Sequence, residues 1–179
     1  WSLTTFRRVN VSMQQNKMGK GMLVVAWIIG LGMLTLLFDE QLAKQFNPNA
    51  EPISSSSQGV QEVRLKQNRA GHYVSGGAIN GQPVVFLLDT GATHVSVPMH
   101  LAEQLNLQMG RSSWVQTANG RVQVAQTNIQ RLSIGDIQLD NVRANLNPGF
   151  KQNEILLGMS ALKQLEFTQK GEWLILRNL

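Results

Sequence analysis

The chain has 179 residues, 42% of them apolar, and no cysteine, which provides for one cored domain plus extras and excludes disulfides, thiol chemistry and cysteine-based zinc sites. The formal net charge is +5, with 16 Lys/Arg against 11 Asp/Glu, and 15% of residues are charged. Over residues 60–179 the basic side chains are scattered along apparent strands rather than gathered on one face with interleaved aromatics, so nucleic acid is not expected as a partner.

The first twenty residues carry Arg7, Arg8, Lys17 and Lys20 and no acid, and Trp1 in place of Met reads as the start of a fragment. Residues 21–38 form an uncharged apolar run, polar only at Thr35. As a helix it spans about 27 Å, close to the hydrocarbon thickness of a bilayer, and it is expected to cross the membrane. A secretory signal would have a shorter apolar region and a small-x-small cleavage site, which Phe38-Asp39-Glu40-Gln41 does not offer. Basic residues before the span and Asp39 and Glu40 after it place the N-terminus in the cytoplasm and the remainder outside, at the inner membrane facing the periplasm. Residues 39–59, with Pro48, Pro52 and the serines at 54–57, read as a flexible linker.

After the linker the pattern is β throughout. Alternation at 62–67 and 72–79 leads to Asn80-Gly81, a hairpin signal. Next comes Val84-Val85-Phe86-Leu87-Leu88-Asp89-Thr90-Gly91-Ala92, an apolar strand ending in a carboxylate on a tight turn. A strand this apolar is buried on both faces, so its rigid core fixes where the Asp89 carboxylate points. Asp-[Thr/Ser]-Gly alone turns up in roughly one chain in ten of this length, but the extended match in about one in several hundred, which favours chemistry over a plain turn.

A short strand at 93–98 and a helical stretch at 99–107 follow, then a hairpin over 113–125 centred on Asn119-Gly120. Further strands reach Ile134 and cover 142–146 and 173–176. Many short strands with one or two short helices imply a small, mostly β, closed barrel-like domain over residues 60–179. His72, His94 and His100 lack ligand spacing with nearby carboxylates, so neither a metal nor a cofactor is expected. His94 lies three residues past Gly91, but no nucleophile-elbow sequence supports a Ser-His-Asp arrangement.

The segment Glu154-Ile155-Leu156-Leu157-Gly158-Met159 pairs two apolar residues with a glycine, and Met159, Leu162 and Leu165 behind it suit a short helix. Lying about seventy residues after Asp-Thr-Gly-Ala, it completes a pair of motifs that resembles the retropepsin-like aspartic proteases, in particular the bacterial membrane-anchored, single-lobed type. The resemblance covers residues 60–179. It implies that the Leu156-Leu157-Gly158 strand threads beneath the Asp loop as its support, that Asp89 is catalytic, and that Thr90 braces two such loops across a two-fold axis. It also implies that Gly91, beside Ala92, offers backbone to substrate, and that Thr117, Ala118, Asn119 and Gly120 form a flap over the cleft.

Peptide hydrolysis by carboxyl groups needs two of them sharing a proton, and this chain has one motif. An active enzyme is therefore expected to be a homodimer with two Asp89 residues on its axis, acting on an extended peptide paired as an extra strand. Trp173-Leu174-Ile175-Leu176 reads either as an interface strand, by analogy with the family, or as a core strand of one subunit. Two other functions stay open: a catalytically silent membrane-tethered peptide-binding module on the same fold, and a tethered scaffold whose Asp-Thr-Gly is only a turn.

Overall fold

The structure is a computed structural model and describes residues 17–57, 59–117 and 120–179, with side chains from residue 21 onward. The chain divides between Glu40 and Gln41 into two units. In the first, α1 (Lys17–Phe46) begins. Its residues 21–38 are exposed on every side, and the one hydroxyl among them, Thr35 Oγ1, donates to Gly32 O at 2.8 Å. Over Gly21–Phe46 this helix is long and apolar enough to cross a membrane.

The expectation of a flexible linker over 39–59 is corrected. Helix α1 continues to Phe46 and stops before Asn47-Pro48, as proline disfavours helix in the residue ahead of it. Asn49, two residues past Asn47, is 4% exposed within the second unit. Its Nδ2 donates to Lys66 O and Val74 O at 2.9 and 2.6 Å, while its Oδ1 accepts from Lys66 N at 2.6 Å. The serine run forms β1 (Ile53–Ser57), antiparallel to β2 (Val60–Lys66). A side chain that bridges two strands anchors this segment in a way that composition does not reveal.

Seven strands make the barrel sheet, six of them in its ring and β6 paired to β7 outside it: β3 (Val74–Ile79), β4 (Gln82–Leu88), β5 (Val95–Pro98), β6 (Ser112–Thr117), β7 (Gly120–Ile134), β8 (Ile137–Asn147) and β9 (Ile155–Leu157). Their order is β3-β4-β9-β5-β8-β7-β6, and a further pairing of β3 with β7 closes the ring. Asn80 (φ 50°) and Gly81 (φ 82°) make the β3–β4 turn, both left-handed as a two-residue hairpin of this type requires. The Asn80 side chain ties it down, with Nδ2 donating to Leu105 O at 2.8 Å and Oδ1 accepting from Arg131 N at 3.1 Å.

The helical stretch expected over 99–107 is shorter than its leucine spacing suggests. One turn of 3-10 helix, Met99–Leu101, is followed by turns to Asn106, whose φ of 53° ends the run. After β9 come α2 (Met159–Leu162), β10 (Leu165–Lys170) and β11 (Trp173–Asn178). The last two join β1 and β2 in a four-stranded antiparallel sheet of order β1-β2-β11-β10. Val63, Leu65, Leu165, Leu174 and Leu176 from this sheet share one buried core with barrel residues such as Phe86, Ile129, Ile134, Leu146 and Leu157. Strand β11 has a neighbour on each side, so the Trp173–Leu176 run is an interior strand of its own subunit and not an interface strand.

Candidate active site

The Asp89 loop follows β4 directly. Parallel pairing of β4 with β9 sets Leu87 beside Leu156 and Leu88 beside Leu157, and β9 meets β5 on its other side through Ser96 and Leu156. The apolar strand that ends at Gly158 therefore runs between the strand entering the loop and the strand leaving it. Asp89 N donates to Leu157 O at 3.2 Å, which extends the ladder to the carboxylate-bearing residue itself.

Asp89 is half-buried, and Thr90 and Gly91 are exposed. Gly91 N donates to Asp89 Oδ1 at 2.8 Å and orients the carboxylate, while Ala92 N donates to the Asp89 backbone carbonyl at 3.2 Å and closes the turn. A Cβ on Gly91 would lie 3.1 Å from Asp89 Oδ1, a crowded approach that favours glycine.

Gly158 is the tightest point of the site. A Cβ there would collide with His94 O and would lie 2.7 Å from Ala92 O. Its φ of −88° suits any residue, so glycine is required by the close approach of the Asp loop and not by backbone conformation. Immediately after it, Met159 N and Ser160 N donate to Ala92 O and Thr93 O at 2.8 and 2.9 Å. The first amides of α2, which have no partner within the helix, are thus spent on the Asp loop.

Ser160 was not singled out by sequence reasoning. Its buried Oγ accepts from Val95 N at 2.9 Å and donates to Arg143 O at 2.7 Å, joining α2 to β5 and β8. A hydroxyl in the first turn of an otherwise apolar helix was the available signal. Ser96 Oγ likewise donates to Asn145 Oδ1 at 2.7 Å, with both residues buried.

Asp89, Thr90, Gly91, Ala92, Leu156, Leu157 and Gly158 thus come together as one unit. The hairpin assigned to the flap is formed by β6 and the first part of β7, with Val115 opposite Val122. Thr117 Oγ1 donates to Gly120 O at 2.8 Å across its end, and Gly120 has a φ of 108°. Ala118 and Asn119, at the tip, lie outside the described residues. Val122 approaches Gly149 in the loop between β8 and β9, so the hairpin borders the segment that leads into the supporting strand. On its other face the exposed Trp114 ring is covered by the Arg121 guanidinium at 5.4 Å.

Tyr73, whose carbonyl accepts from Leu88 N at 3.0 Å, has its hydroxyl pKa pushed up by burial. A groove of about 520 Å³ is lined by Met99, His100, Pro148, Phe150 and Lys151 and includes no residue of the Asp loop. Among the described residues no group of three or more His, Cys, Asp or Glu side chains is arranged to hold a metal ion.

A family profile described as gag-polyprotein putative aspartyl protease matches residues 75–164, a span that contains both the Asp89 loop and Gly158. An uncharacterized protein encoded in the cobV 5′ region of Sinorhizobium sp. is 34% identical over 135 residues, covering 74% of this chain and 58% of that protein. An uncharacterized protein of Rickettsia prowazekii (strain Madrid E) is 25% identical over 118 residues, covering 64% of this chain and 50% of its own. The chain thus spans about half the length of the curated relatives it matches. Among solved structures, a retropepsin-like aspartic protease from Rickettsia conorii superposes with a TM-score of 0.56 at 26% identity, covering 72% of this chain and 96% of that one. On the strength of that match and the geometry around Asp89, the chain belongs to the gag-polyprotein putative aspartyl protease family and has the retropepsin-like aspartic protease fold.

Proposed function

We propose that the protein is a membrane-anchored aspartic endopeptidase. In this reading the active unit is a homodimer in which water is activated between two Asp89 carboxylates, one serving as general base toward the water and the other as acid toward the scissile carbonyl oxygen. The observation that carries the proposal is the bracing of Asp89. Its backbone is laddered to β9, its carboxylate is oriented by the Gly91 amide, and α2 holds the loop from below.

Each chain supplies one such loop, so a second copy provides the second carboxyl. The β6–β7 hairpin then serves as the flap, and an extended peptide lies between it and the loop as an added strand. Residues 21–38 anchor the chain in the inner membrane with the protease domain on the periplasmic side, which raises the effective concentration of one copy for another.

The test is Asp89→Asn in the full chain. This variant keeps an acceptor for the Gly91 amide, so the fold persists, while proteolysis drops by about a thousandfold or more because each dimer loses both carboxylates. Purified Asp89→Asn retaining more than a few per cent of the activity would remove Asp89 from the catalytic role.

A further inference from the structure

The outer face of the four-stranded sheet takes no part in the site around Asp89. Val63 and Leu65 of β2 and Leu174 and Leu176 of β11 are buried in the core, so by alternation Arg64, Lys66, Trp173 and Ile175 point outward. Pairing sets Trp173 opposite Lys66 on one side and Lys170 on the other, a row in which an indole lies between two lysines. In the next row Ile175 is opposite Arg64, and Arg64 is opposite Ile53, which is 59% exposed. Ile53, Arg64, Lys170, Trp173 and Ile175 line a shallow cavity of about 360 Å³. Basic residues that look scattered along the chain are thus gathered round one tryptophan.

The same end of the sheet is tied to the end of α1. Gln67 N donates to Glu172 O at 2.8 Å, joining the loop after β2 to the β10–β11 turn. From that loop Arg69 Nη1 donates to Gln45 Oε1 at 2.9 Å and Asn68 Nδ2 to Phe46 O at 3.0 Å. Six residues separate Gln45 from Phe38, the last residue of the apolar run, and they span at most about 25 Å by any path.

We infer that this face is a contact surface for anionic phospholipid headgroups, with Arg64, Lys66 and Lys170 meeting the phosphates and Trp173, Ile53 and Ile175 entering the interfacial layer between them. The inference rests on the membrane-anchored reading above and adds which face of the domain lies on the bilayer. Tryptophan favours the headgroup level, where its ring is half in apolar surroundings and its N–H stays wet. Lysine stems lie along such a surface with the ammonium in the polar layer. Each basic residue held near an anionic surface strengthens binding by about fivefold.

The cations have room for such a partner. Among the described residues Lys170 is in no ion pair, and Lys66, 6.0 Å from the Trp173 ring, has only a long contact with Glu172 at 3.7 Å. The acids at this end are Glu172 and, ahead of β1, Glu51. Glu62 and Glu166 lie in the row of Arg177, on the far side of Ile175 from Trp173. The Trp173 end is therefore the one that suits a negative surface.

The chain has no cysteine, so Ser55→Cys, exposed on the same face through its pairing with Glu62, and Gln126→Cys, exposed on barrel strand β7, each carry a single fluorophore. Full-length labelled protein is reconstituted with vesicles of phosphatidylcholine, alone or with about one-third phosphatidylglycerol, that contain a lipid bearing a nitroxide quencher on its headgroup, and is then floated on a density gradient. In the anionic vesicles the label at 55 is expected to be quenched about threefold more than the label at 126. Lys66→Glu combined with Lys170→Glu, or about 0.5 M salt, brings the two labels level.

Equal quenching of the two labels in anionic vesicles, or excess quenching at 55 that survives the double charge reversal, overturns the inference, while flotation with both kinds of vesicle upholds the anchor. Flotation with anionic vesicles alone, abolished by the double reversal, upholds this face and defeats the anchor. Flotation with neither defeats both.

Discussion

The barrel around Asp89 and the four-stranded sheet share a core but are held by different forces. Residues 86–96 and 155–162 contain one carboxylate, Asp89, one histidine, His94, and no lysine or arginine. Their order comes from backbone amides, the Ser160 hydroxyl and the absence of a side chain at Gly158. The sheet instead carries an ion-pair network. Glu62 accepts from Arg64 Nε at 2.7 Å and from Arg177 Nε at 2.8 Å, Arg177 also reaches Glu166, and Lys66 approaches Glu172 at 3.7 Å. The contrast teaches that the Asp89 loop is fastened to its surroundings by backbone amides, a neutral hydroxyl and close packing, whereas the sheet is fastened in part by charge.

The sharpest way to break this comparison after Asp89→Asn is Gly158→Ala. The new methyl would press on the carbonyls of Ala92 and His94, which are backbone and cannot swing away. A loss of about 3 kcal/mol is expected, together with loss of activity from displacement of the Asp loop. Chemical denaturation and a peptidase assay measure the two effects. A Gly158→Ala protein of wild-type stability would show that β9 does not support the loop sterically.

Ser160→Ala removes the hydroxyl that answers Val95 N and Arg143 O. The buried Val95 N and the part-buried Arg143 O then lose their partner, at a cost of about 2 kcal/mol. Because this lock is neutral, the cost is the same at pH 5 and pH 8. Thermal unfolding at both values checks it, and a penalty that varied with pH would mean that charge enters the site after all.

Much of the site was legible in the sequence because it is written in short, local patterns. Leu87-Leu88-Asp89-Thr90-Gly91 announces an apolar strand and a turn, although that strand is not buried on both faces as expected, since only Phe86 in it is fully buried, and Leu156-Leu157-Gly158 announces a strand that something approaches closely. What was not legible depends on residues distant in the chain. Residues 47–57 look like linker by composition, yet the Asn49 amide joins Lys66 to Val74 and gives the serines an ordered neighbour. Trp173-Leu174-Ile175-Leu176 reads either as an interface strand, by analogy with the family, or as a core strand, and only its pairing with β2 and β10 places it inside the sheet and leaves the more polar β10 at the edge. Ser160 gave only one hydroxyl in an apolar helix as warning.

The smallest expected effect tests the other side of the comparison. Hydrogen bonds from Arg64 and then Arg177 hold the Glu62 pKa below the ordinary glutamate value. A carboxyl depressed on folding contributes stability that is fully present above its unfolded pKa and is lost as pH falls through its lower folded value. Glu62→Gln should therefore be less stable than wild type at neutral pH, with the gap closing once the medium is acidic enough to protonate Glu62 in the folded protein. Salt narrows the same gap at neutral pH, since Arg64 and Arg177 are substantially exposed. Denaturant midpoints for the two proteins, followed from pH 7 down to pH 3, give the result. Curves that stay parallel over the whole range would show that Glu62 contributes through its shape and not its charge, and the sheet would then be held in the same neutral way as the barrel.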